Sequence, residues 1–141
     1  MLRARYLITG LLLAGAIAIP ALASADARRV VGNCTKSQVR PASIIIFCAD
    51  ANASLIHLHW SNFGGPTATG AGRYAANDCK PNCAAGHVHS YAVVVVLSKA
   101  RLCKDNYDDY RSAALTFTAR RPPDIKSAKT TISLPGCPLG G

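Results

Sequence analysis

The sequence predicts an all-β fold, an antiparallel β-sandwich or small barrel of six to seven short strands stabilised by disulfides. Three observations lead there. Short β-branched and aromatic runs alternate with Gly, Pro and Asn turns; no segment keeps a capped helical period over three turns; and a 141-residue chain carries six cysteines.

The first segment reads as an export signal. Arg3 and Arg5 precede an uncharged run from Leu7 to Ile19 that is too short for the ~20 residues of a membrane-crossing helix. Pro20 ends that run, and Ala21-Leu22-Ala23 or Ala23-Ser24-Ala25 offers small residues to a signal peptidase. Cleavage is expected after Ala25, giving a signal peptide at 1–25 and a single β-rich domain at 26–141. No small-residue box precedes Cys34, and the two arginines are not adjacent, so neither a lipoprotein nor a twin-arginine signal is indicated. The expected product is secreted, with no membrane span after cleavage.

In the mature part, Arg28-Arg29-Val30-Val31 can begin a short strand. The run from Ser43 to Cys48 is β-branched, aromatic and continuous, as expected of a central strand buried on both faces. In Ser54 to Trp60, period two places Leu55, His57 and His59 on one face and Ile56, Leu58 and Trp60 on the core face. Asn62 to Gly72 reads as a turn and a weak edge strand ending near Tyr74, and Asn77 to Gly86 as a loop. His87 to Leu97 is a strand whose Val93–Val96 run predicts a central position. Lys99 to Arg111 is a polar connection. Ala113, Leu115, Phe117 and Ala119 then alternate with polar residues, and a last short strand carries Ile132 and Leu134. Cys48, Trp60 and Cys103 hint at an immunoglobulin-like sandwich, but Arg101 stands where the tyrosine of that fold belongs.

Cys34, Cys48, Cys79, Cys83, Cys103 and Cys137 all follow the signal and should form three bridges in an oxidising compartment. Cys103 is expected to pair with Cys137, leaving Cys34 and Cys48 to pair with Cys79 and Cys83 in either order.

Several words occur together: Cys48-Ala49-Asp50-Ala51-Asn52, His59-Trp60-Ser61, the loop from Asn77 to Gly86, and the strand His89 to Ser98. In this order they resemble a family of small secreted actinobacterial proteins, of mycobacterial type, whose function is unknown. The resemblance spans about residues 41 to 98 and implies export, but no reaction, substrate or site residue.

The chain has 16 Lys and Arg against seven acidic residues, all Asp. Without Arg3 and Arg5, 14 basic residues against 7 acidic ones leave a net charge of +7. That balance suits an anionic partner, such as a cell-envelope polymer, held through Arg28, Arg29, Arg120 and Arg121. The aromatics are too dispersed for a base-stacking platform, so specific nucleic-acid binding is not expected.

Enzymatic readings are thinner. His57-Leu58-His59 and His87-Val88-His89 could present four imidazoles to one zinc or copper ion if their strands lie side by side. This is the alternative function, a metal-binding protein or metal-dependent hydrolase, set against ordinary packed or half-exposed strand histidines. Cys79-x-x-x-Cys83 sits in a Pro-Asn turn, where a structural disulfide fits better than redox chemistry. Asp105, Asp108 and Asp109 lack the spacing of a calcium loop. There is no Gly-x-Ser-x-Gly word and no Glu, and Asp50, the best carboxylate, reads as a turn residue with Asn52. The expected function is therefore that of a non-enzymatic binding or surface-associated module, with no cofactor.

Overall fold

The computed structural model describes residues 28–104 and 106–137. The expected signal peptide lies outside the described residues, as does Asp105. Eight strands are present among them: β1 (Arg29–Asn33), β2 (Lys36–Gln38), β3 (Ile44–Ile45), β4 (Ala53–Asn62), β5 (Ala68–Asn77), β6 (Val88–Leu102), β7 (Asp108–Phe117) and β8 (Lys129–Ser133). They form one sheet in the order β2-β1-β7-β6-β5-β4-β3, with β8 added to β7. The fold is all-β and disulfide-bonded, and the sheet curls into a half-barrel.

Two features differ from the expected antiparallel sandwich or small barrel. A single sheet supplies the core, and it is mixed, because β1 runs parallel to β7 through Arg29 opposite Asp108 and Val30 opposite Asp109. The long middle strands hold the architecture: β5 and β6 pair over ten positions, and β6 and β7 over nine. On the concave face Leu55, Val95, Leu97, Ala113 and Leu115 are almost wholly buried, joined by Ile44, Tyr74 and Phe117. Tyr110 is fully buried too, and its hydroxyl donates to the Gly65 carbonyl at 2.6 Å.

The expected alternation holds in the second half of β7, with Ala113, Leu115 and Phe117 inward, and stops there: Ala119 lies past the strand and is exposed. Val93 and Val95 face the core while Val94 and Val96 are half-buried, so this run covers one face more than the other. Three other expectations are corrected. The Ser43–Cys48 run is an edge strand of two residues; Ile44 and Ile46 are buried, but Phe47 is 56% exposed. The segment beyond Asn62 forms β5, a full strand between β4 and β6, because its small residues let the neighbouring strands approach closely. In β4 a bulge falls between Ile56 and His59, with His57 at φ 53°. The extra residue shifts the phase, so that Leu55 and Leu58 both point inward.

Three disulfides are present: Cys34–Cys48, Cys79–Cys83 and Cys103–Cys137. The last is the expected pair. The first two correct the expected cross-pairing: curling of the sheet brings the end of β1 to the end of β3, and the β5–β6 loop closes on itself. Near the third bridge the chain is tight. A Cβ on Gly32 would collide with the Gly136 carbonyl, and one on Gly136, at φ 80°, with the Arg111 guanidinium.

Candidate functional site

At the end of the sheet where β1 and β7 begin, three arginines converge from two separate segments. Arg28 and Arg29 lead into β1, Arg40 follows β2 at φ 49°, and together they line an open cleft of about 780 Å3. Its apolar part is Val39, 56% exposed, and Phe63; Gly64 and Gly65 leave bare backbone beside them. Phe63 is held edge-on between Trp60 and Tyr110, with centroids at 5.2 and 5.6 Å, so this wall is continuous with the core.

Two of the guanidinium groups are positioned by the chain around β7. Arg28 donates to the Tyr107 hydroxyl at 3.3 Å and stands 5.8 Å from the ring centroid. The parallel pairing sets Arg29 beside Asp108, with Nε 3.7 Å from Oδ2; that Nε is buried and makes no hydrogen bond among the described residues. Arg40 is exposed and makes no hydrogen bond or ion pair with any described residue. Three guanidinium groups line the cleft, no carboxylate among the described residues does, and only Arg29 is paired with one, Asp108, so the cleft is cationic. Planar guanidinium donors match carboxylate and phosphate oxygens in pairs.

The other two arginines expected to share this surface do not. Arg120 and Arg121 follow the far end of β7, and that ten-residue strand alone spans ~30 Å. Long-range pairing decides this separation, which no local pattern reveals. Conversely, sequence reasoning missed Arg40, Val39 and Phe63, whose convergence depends on the curl of the sheet.

The four histidines are exposed and do not converge. His59 stands opposite Ala71 and His89 opposite Ala76 on the two sides of β5, five residues apart along it, or ~17 Å. Four imidazoles so placed cannot share an ion, so the His-x-His metal site is corrected to separate surface residues. His89 instead meets Asp78, Nε2 to Oδ2 at 3.0 Å, while Asp78 Oδ1 accepts from the backbone amides of His87 at 2.9 Å and Lys80 at 3.2 Å. These contacts, led by the His87 amide and the His89 ring, hold the Asp78 carboxyl down at about 2. Among the described residues, the one group of three metal-capable side chains within 4.8 Å of one another is Cys103, Asp109 and Cys137, where the two sulfurs are joined to each other.

Asp50 and Asp109 are structural. Asp50 accepts from the backbone and side-chain nitrogens of Asn52 at 3.2 and 2.8 Å, closing the expected turn. Asp109 is fully buried and accepts from the Gly32 amide at 2.9 Å. A second opening, of about 350 Å3, lies where β8 and β3 end, between the Cys34–Cys48 bridge and Leu134; Ile46 and Phe47 line it, and no charged residue does.

Comparison with protein-family models, with curated proteins and with solved structures finds no match to this chain.

Proposed function

We propose that the protein is an exported, non-catalytic binding module that holds an anionic polymer of the cell envelope in the Arg28–Arg29–Arg40 cleft. The convergence of three guanidinium groups on one open cleft, opposed by Asp108, carries this reading. Three disulfides support work in an oxidising compartment, and the N-terminal segment, with its charged start, apolar run and small-residue exit, supports export. The resemblance to small secreted actinobacterial proteins points the same way. A binding role fits the chemistry better than catalysis. The cleft offers cations and apolar surface but no nucleophile paired with a base, and the one His–Asp pair among the described residues sits on the distant β5–β6 loop.

The reading predicts salt-sensitive retention of the mature protein on purified envelope polymer. Exposed ion contacts are screened beyond ~10 Å at 0.1 M salt, so retention should fall steeply as salt rises above that level. The Arg28→Gln/Arg40→Gln variant should be retained more weakly than the wild type at low salt. Retention of that variant at the wild-type level would remove the cleft from the account.

A further inference from the structure

We infer that the protein bridges anionic polymer chains, taking one at each end of its sheet. The inference rests on the cleft reading above and adds a second site to it. At the far end of β7, Arg120, Arg121 and Lys126 line another open cleft, of about 510 Å3, with Pro122, Pro123 and Ile125. The loop carrying them is built rather than loose. Arg121 Nε donates to the Ile125 carbonyl at 2.8 Å and its Nη2 to the Lys126 carbonyl at 3.3 Å, Pro122 is buried, and the Ile125 amide closes back on the Pro122 carbonyl at 3.1 Å. Arg121 is thereby committed to shaping the loop, while Arg120 and Lys126 are exposed. Asp124 is the one carboxylate in the segment from Arg120 to Lys126, so this end, like the first, keeps an excess of cations.

The spacing turns two basic clefts into a bridge. The ten residues of β7 that separate them span ~30 Å, several times the screening length of ~10 Å at 0.1 M salt. Each cleft therefore attracts a polyanion independently of the other. β7 is paired along its length to β6 on one side and to β1 and β8 on the other, so the spacer is stiff and the two ends cannot fold onto one short ligand. A stiff body with an independent anion site at each end links chains that a single site would only decorate.

The mature protein can be titrated with trigalacturonate, too short to reach both ends, and separately with long polygalacturonate. The expected results are two trisaccharides bound per protein by calorimetry, and light scattering that rises with the long polymer. Arg120→Gln/Lys126→Gln and Arg28→Gln/Arg40→Gln should each leave one trisaccharide site and abolish scattering while the long polymer still binds. One trisaccharide per wild-type protein, or scattering that persists in both single-end variants, would overturn the bridge and leave the first cleft standing. No binding of either probe would overturn both.

Discussion

The side-chain carbonyl of Asn33 accepts a hydrogen bond from the backbone amide of Ile45 at 2.9 Å, joining the end of β1 to β3 across the open side of the sheet. The same side chain donates to the Ser43 carbonyl at 3.1 Å and to Gln38 Oε1 at 2.7 Å, so one amide group links three segments. A strand partner would satisfy these backbone groups in a closed barrel; here a side chain does so. The Cys34–Cys48 bridge lies immediately beyond.

Asn33→Ala should therefore destabilise the fold by about 1–2 kcal/mol, because the Ile45 amide and Ser43 carbonyl lose their partner. Urea unfolding of the disulfide-intact protein measures it. An unchanged midpoint would mean that the seam is held by the disulfide alone.

The bridges should differ in worth according to the chain they close. Sequence separations of 34, 14 and 4 residues rank Cys103–Cys137 above Cys34–Cys48 above Cys79–Cys83. Loop-closure entropy gives about 4, 3 and 2 kcal/mol respectively. Paired Cys→Ser variants and thermal unfolding test the order, and peptide mapping without reductant tests the pairs themselves.

Much of this scaffold is legible in the sequence, and what is not has a physical cause. The alternation at Ala113, Leu115 and Phe117 and the turn words between Asn77 and Gly86 are local signals, and the structure follows them. The inward turn of Leu55 on the same side as Leu58 is not legible, because a bulge at His57 adds a residue to one strand and reverses the period. The Ser43–Cys48 run looks central because it is greasy throughout, yet it covers the edge of the core with two paired residues. The parallel contact of β1 with β7, the first two disulfides and the meeting of Arg28 with Arg40 all depend on how the sheet curls, which composition and periodicity do not encode.

Acid should loosen the β5–β6 loop through Asp78. Its carboxyl sits at about 2 in the folded protein against 3.8 for the free side chain, so the folded state favours the ionised form. Its stabilising contribution is present above 3.8 and is lost as pH falls towards 2. Asp78→Asn keeps an acceptor for the His87 amide but no charge. The difference in denaturation midpoint between wild type and this variant should be largest above pH 4 and shrink on acidification. A difference independent of pH would contradict the assignment.

Tyr110→Phe tests the support of the first cleft. The Tyr110 hydroxyl holds the Gly65 carbonyl at the cleft wall, and losing it should cost about 1–2 kcal/mol of stability. Polymer affinity should fall with it while the far-end cleft is unaffected. Unchanged affinity at reduced stability would show that the wall does not contribute to binding.

The central claim is that the Arg28–Arg29–Arg40 cleft binds anions by charge. The most direct test is the dependence of polymer affinity on salt, measured for the mature wild type and for Arg28→Gln/Arg40→Gln, with the far-end cleft disabled in both by Arg120→Gln/Lys126→Gln. The account predicts that log affinity falls linearly with log salt, that the cleft variant is roughly tenfold weaker at low salt, and that its slope is shallower. Equal affinities and slopes for the two proteins would contradict it.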